Sequence, residues 1–239
     1  MNSLRNHPFA VEAFFEHSLV LTFAVPKNEI KDLLPPCLEP DTFRDEWAFV
    51  AVALVKTKDL RPKGFPAFMG NNFFLVGYRI FVRYTNNQGK RLRGLYILRS
   101  ETNKKKMSFL GNIFTHYRYI TTPIQFDKYN FSSPQIAIKI SDNENAALPG
   151  NSPFATWQEA RRFAGPLPFT FSYNEKKKEV LIIEGVRENW TPRPVAVLKH
   201  DIAFLQEMKL NGMVLANAFM IENIPYYWKK GKTEIWQPQ

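Results

Sequence analysis

The sequence predicts a mainly β fold of the α+β kind: a mostly antiparallel, closed β-barrel with two or three short peripheral helices. Three observations carry that expectation. At least seven segments show strand patterning, no alternating βαβ series runs through the chain, and no glycine-rich phosphate loop is present. A chain of 239 residues can bury a full-sized core, and barrels of this length commonly stay undivided, so residues 1–239 are expected to form one domain.

The elements follow in order. "HSLVLTFAVP", His17 to Pro26, reads as a strand; Pro26 then opens a short helix whose Ile30, Leu33 and Leu34 share one side before Pro35-Pro36 ends it. "EWAFVAVALV", Glu46 to Val55, is apolar at both parities, as a central strand covered on both faces must be. In "NNFFLVGYRIFVRY" the alternation sends Phe74, Val76, Tyr78, Ile80, Val82 and Tyr84 one way and Leu75, Gly77, Arg79, Phe81 and Arg83 the other. The turn "TNNQGK" and the run "RLRGLYILRS" complete a hairpin over residues 73–99.

From Lys105 to Tyr119, Met107, Leu110, Phe114 and Tyr117 recur at spacings of three and four, which predicts an amphipathic helix despite Gly111. "PQIAIKIS" follows as a strand, and a second helix is expected through Ser152-Pro153, carrying Phe154, Trp157 and Phe163. "LPFTFSYNEKKKEVLIIEG" is a hairpin turning at 174–178, and "PVAVLKHDIAFL" and "MVLANAFMIENI" supply two more strands.

Composition narrows the function classes. With 21 Phe and 15% aromatic residues, an aromatic-lined core or pocket is expected. The net charge of +10 favours anionic partners, yet the basic residues fall in small groups beside turns, and the modules of nucleic-acid recognition are missing. A small-molecule ligand therefore ranks above specific nucleic acid. Cys37 is the only cysteine, so an intrachain disulfide and a cysteine-based zinc site are excluded; it reads as a buried thiol in a reducing compartment. Glu12, Glu16 and His17 interrupt the apolar N-terminal runs, so a cytoplasmic protein without a membrane partner is expected. His7, His17, His116 and His200 lack metal-ligand spacing, and neither a metal nor a cofactor is expected.

Four residues are candidates for chemistry. Arg79, on a mixed strand face, either clamps a ligand carboxylate or pairs with an acid such as Glu101. Glu101 is either a general acid/base or half of an ion pair. Lys104 and Lys105 lie at a strand-to-helix junction, where helix N–H groups disfavour an ammonium and lower its pKa; the alternative is a solvated loop.

"FAVPKNEIKDLLPPCLEPDTFRDEWAFVAVALVKTKDLRPKGFP", residues 23–66, resembles the opening of the YqjF-like family of uncharacterised bacterial proteins, within the acetoacetate decarboxylase-like superfamily. The likeness continues through "GYRIFVRY" and "GLYILRSETN", and more weakly through "VRENWTPRPVAV", roughly residues 17–200. It implies a β-barrel around a pocket for a small anionic or carbonyl-containing molecule. In the decarboxylase a lysine forms a Schiff base, its pKa lowered by an adjacent lysine. The reactive position would fall at Thr102 without a gap, or at Lys104 or Lys105 with a loop about two residues longer. The decarboxylase's first-strand arginine falls near Ala24 and the family's strand acid at Leu75, so Arg79 alone is kept. YqjF-like proteins in general lack the lysine pair. The resemblance thus leaves open a lyase or related carbonyl chemistry, or a ligand-sensing protein without a reaction. Because superfamily relatives assemble, it also implies a homo-oligomer.

Overall fold

A computed structural model describes residues 4–141, 146–165 and 167–237. The strands are β1 (Val11–Pro26), β2 (Glu39–Pro40), β3 (Trp47–Pro62), β4 (Asn71–Thr85) and β5 (Arg91–Thr102), followed by helix α1 (Lys105–Phe114). Next come β6 (Tyr119–Thr121), β7 (Gln125–Phe126), β8 (Asn130–Ser133), β9 (Ile136–Ser141) and helix α2 (Trp157–Ala164). The chain continues through β10 (Phe169–Asn174), β11 (Glu179–Arg187), β12 (Arg193–Pro194), β13 (Ala196–Ile202), helix α3 (Ala203–Glu207), β14 (Val214–Trp228) and β15 (Lys232–Ile235).

The main sheet runs β12-β14-β1-β3-β4-β5-β10-β11-β15, with β2 on β4 and β6 on β5. β11 also pairs with β14, through Gly185–Trp228, Val186–Tyr227 and Arg187–Tyr226. The sheet is mixed, because β5 runs parallel to both β10 and β6. The long crossover from β5 to β10 carries α1, the β7, β8 and β9 strands of a second sheet, and α2, and a crossover of that length lets a strand return in the same direction, which a tight hairpin cannot do. The second sheet, β13-β9-β8-β7, holds the strands read from "PQIAIKIS" and "PVAVLKH", which pair with each other outside the main sheet. β9 is buried on one face only and β13 is mostly exposed, so neither suits a strand position covered on both faces.

β3 is covered on both sides, as its unbroken apolar run predicts. Val50, Val52 and Leu54 join a core with Val76, Tyr78 and Ile80 of β4 beneath Phe131, Ile136 and Ile138 of the second sheet. Phe49 and Ala51 face the other way and pack with Phe81 against Phe154, Ala160 and Ala164 around α2. Phe49 stacks on Phe154 at 5.4 Å.

Several boundaries differ from the sequence expectation. α2 begins at Trp157, because the Thr156 hydroxyl accepts from the Glu159 N–H at 3.1 Å while the Glu159 carboxylate accepts from the Ala155 N–H at 2.7 Å. This reciprocal cap outcompetes Ser152-Pro153 as a start. The helix expected after Pro26 is two 3₁₀ turns, Lys27–Glu29 and Lys31–Leu33, too short to complete α-helical bonding before Pro35. α1 stops at Phe114, five residues before Tyr119. Its Gly111 is buried where an added Cβ would collide with the Tyr119 ring, so the glycine permits the closest approach of helix and strand. α3 takes Ala203 to Leu205, which the strand reading of "HDIAFL" includes.

Among the described residues no helix is long and apolar enough to cross a membrane. Cys37 is 8% exposed, and burial pushes its thiol up to about 12. A chromogenic thiol reagent at pH 8 is therefore expected to leave the native protein unmodified and to react with one thiol per chain once denaturant is added.

Candidate functional site

The period of two on β4 sends Leu75, Gly77, Arg79 and Phe81 to the face away from the second sheet. There they border a partly open cavity of about 140 Å³, lined also by residues of β1, β3, β5, β11 and β14 and, from outside the sheet, by Met107, Tyr117, Ala164 and Trp190. Its polar and aromatic lining includes Arg79, Arg187, Tyr117, Tyr119, Tyr226 and Trp190. No Asp, Glu, Lys or His of the described residues lines it.

Arg79 is the central observation. Its guanidinium folds back over Gly77, where an added Cβ would lie 3.0 Å from Nε and 3.2 Å from Nη2, so any larger residue would press on it. Nε is buried without a hydrogen-bond partner. Burial draws the Arg79 pKa below its ordinary value; Tyr226 and Tyr117 oppose that shift and Arg187 adds to it. Arg187 is held by a 3.3 Å bond from Nη2 to the Leu167 carbonyl and lies over the Trp190 ring at 4.1 Å and the Tyr226 ring at 5.5 Å. Burial lowers its pKa too. The Trp190 indole N–H is likewise buried without a partner, and the buried Tyr117 hydroxyl stands beside Thr170. Burial holds both Tyr117 and Tyr119 in the neutral phenol form, with pKa values far above the ordinary phenol range.

Two guanidinium groups in a largely apolar cavity that no carboxylate of the described residues lines are destabilised by lost hydration and by mutual repulsion. Unpartnered donors are rare in native interiors and call for an acceptor. An anion entering this space would meet N–H groups that have nothing else to bond.

Glu101 lies on the opposite face. Its Oε1 accepts from Arg99 Nη2 at 2.9 Å and from the Tyr78 hydroxyl at 3.1 Å, beneath Phe204 of α3, and the residue is 1% exposed. Arg99 is also tied to Gln135 at 2.6 Å. The reason is a bulge: Tyr78 pairs with Arg99 but Arg79 pairs with Ile97, so Leu98 is skipped. Leu95 and Ile97 line the cavity, and an uninterrupted alternation would have brought Glu101 onto the same face, opposite Leu75; the bulge turns it out. Glu101→Gln is expected to destabilise the fold by about 2 kcal/mol, because Arg99 loses a charged acceptor. Thermal unfolding would show it, with ligand affinity at the cavity unchanged.

Lys104, Lys105 and Lys106 are exposed, and none lines the cavity. α1 turns Met107, Leu110 and Gly111 toward the protein, which leaves the residues at its N-terminus facing solvent. Thr102, the ungapped alternative, is fully buried two residues beyond the cavity-lining Ser100, and a hydroxyl there cannot form an imine. Sequence reasoning missed Arg187, Tyr117, Tyr119, Tyr226 and Trp190. The alternation of "YYW" places Tyr226 and Trp228 on one side, but that this side meets Arg79 is a long-range fact.

The strand pairing and the hollow between α1 and α2 define an acetoacetate decarboxylase-like fold. The structure matches acetoacetate decarboxylase from Legionella pneumophila subsp. pneumophila str. Philadelphia 1 with a TM-score of 0.61 and 9% identity, over 95% of this chain and 88% of that one. An acetoacetate decarboxylase-like enzyme from Sphingomonas wittichii RW1 matches with a TM-score of 0.56 and 10% identity, over 95% and 93%. The enduracididine biosynthesis enzyme MppR, complexed with pyruvate, matches with a TM-score of 0.51 and 8% identity, over 95% and 88%. Identities this low establish the fold alone. Within it, the chain belongs to the DUF2071 family of uncharacterised conserved proteins, the YqjF-like family, whose model matches residues 12–232. No curated protein matches the sequence.

Proposed function

We propose that this protein binds a small anionic molecule, a carboxylate that can also carry a carbonyl, without a covalent bond, inside a closed β-barrel. In this reading the pairing of β11 with both β10 and β14 closes the main sheet around the cavity. Arg79 supplies the principal charge and Arg187 the second. Tyr117, Tyr226 and Trp190 offer further donors and aromatic faces. The observation that carries the reading is the guanidinium of Arg79, with its buried Nε unpartnered in a cavity that no acid among the described residues lines. That a fold neighbour is complexed with pyruvate, a carboxylate bearing a carbonyl, supports the ligand class.

Imine chemistry would need an amine in the cavity, and Lys104 and Lys105 stand outside it, so the reading favours a ligand-binding or ligand-sensing protein over a decarboxylase. Titration calorimetry at low salt with short 2-oxo and 3-oxo carboxylates, each paired with its neutral methyl ester, tests this. The acids are expected to bind and the esters not; equal binding of both, or of neither, would remove the anion site. Borohydride reduction in the presence of the same acids is expected to leave every lysine unmodified. An adduct at Lys104 or Lys105 would instead restore a Schiff-base mechanism.

A further inference from the structure

A second hollow, of about 190 Å³, lies under the N-terminal segment against α1. Phe9, Val11, Leu110 and Phe114 give it an apolar wall, and Phe9 packs on Phe114 at 5.2 Å. The charged group at its edge, Arg61, is already paired with Glu12 at 2.7 Å. Leu60, Met107, Tyr117, Tyr119 and Trp228 line both this hollow and the arginine cavity, so one layer of side chains separates the two. Met107 is unbranched and adaptable, suited to a partition that shifts. The aromatic wall is continuous across the boundary: Tyr226, beside Arg187, packs on Trp228 at 4.4 Å, and Phe15 stacks on Tyr226 at 4.8 Å.

Each hollow alone is smaller than the roughly 300 Å³ at which small-molecule sites begin, and together they reach it. One end of the joined space carries two guanidinium groups, and the other carries no unpaired charge. Resting on the anion reading above, we infer that the ligand is an amphipathic monocarboxylate whose head meets Arg79 and Arg187 and whose unbranched apolar chain passes Met107 into the hollow beneath Phe9 and Leu110. A compact polar acid would leave the second hollow empty, whereas an acyl chain fills it with apolar contacts.

Titration of the full chain with straight saturated monocarboxylates of four to ten carbons tests the inference. Affinity is expected to rise about fourfold per added methylene, the increment for burying one CH₂, and then to level off when the hollow is full. Leu110→Trp, which fills the hollow, is expected to flatten that rise while leaving the four-carbon acid unaffected. If short acids bind but affinity does not grow with chain length in the unaltered protein, the extended site is wrong and the anion site stands. If no acid binds at any length, both fail. Straight-chain alcohols binding as tightly as the matching acids would show that the arginines do not hold the head.

Discussion

Arg79→Met is expected to weaken carboxylate binding by at least about 30-fold while raising the thermal midpoint by about 2–12 °C. The two effects come from one cause. In the free protein the guanidinium is held in a cavity that no carboxylate of the described residues lines, with Nε unpartnered and its pKa drawn down by burial. Removing a buried polar group that has lost its hydration bonds relieves about 1–3 kcal/mol, and each kcal/mol shifts the midpoint of a chain this long by about 2–4 °C. Truncating one partner of a buried, hydrogen-bonded charge pair weakens a complex by about 2–5 kcal/mol, which sets the expected loss of affinity. Calorimetric titration and a thermal scan on the same variant measure both. A variant that binds normally and unfolds earlier would show that Arg79 is a packing residue. Arg79→Lys keeps the charge but loses the planar fork, so an intermediate affinity is expected.

Asp41→Ala is expected to destabilise the protein by about 3–5 kcal/mol, a large share of the stability that holds a typical domain together. Asp41 is fully buried; its Oδ1 accepts from Arg83 and its Oδ2 from Arg93 Nε at 2.6 Å. Arg83 and Arg93 are direct cross-strand partners on β4 and β5, an arrangement in which like charges repel unless an anion lies between them. Arg93 continues to the Phe163 carbonyl of α2 at 2.8 Å, and the Asp41 N–H donates to the Phe81 carbonyl at 2.9 Å. Loss of the carboxylate would therefore loosen β4, β5 and α2 together. Chemical denaturation would register the loss, and adding Arg83→Met and Arg93→Leu to Asp41→Ala is expected to recover much of it. A lone Asp41→Ala with unchanged stability would mean that solvent already screens the pair.

The contrast between these two arginine sites shows what periodicity can and cannot convey. Alternation along β4 correctly groups Arg79 with Gly77 and Phe81, because strand geometry is local. The same rule applied along β5 misplaces Glu101, since the skipped residue at Leu98 leaves no mark in the composition of "LRGLYILRSE". The capping box of α2 is present in the sequence as Thr156-x-x-Glu159, and weighing it above Ser152-Pro153 would have placed the helix start correctly. Gly111, which reads as a flaw in α1, becomes intelligible only with the Tyr119 ring against it.

By itself the sequence determined that β3 is a doubly covered central strand, that Arg79 shares a face with small and apolar neighbours, and that helices are few. Each follows from the side-chain direction of consecutive residues. The tertiary structure alone decided that Arg187, Tyr117, Tyr119 and Tyr226 converge on Arg79, that Glu101 turns away to Arg99, and that Lys104 and Lys105 face water. Those outcomes depend on which strands become neighbours and where one ladder slips by a residue, and that is set by packing between segments far apart along the chain.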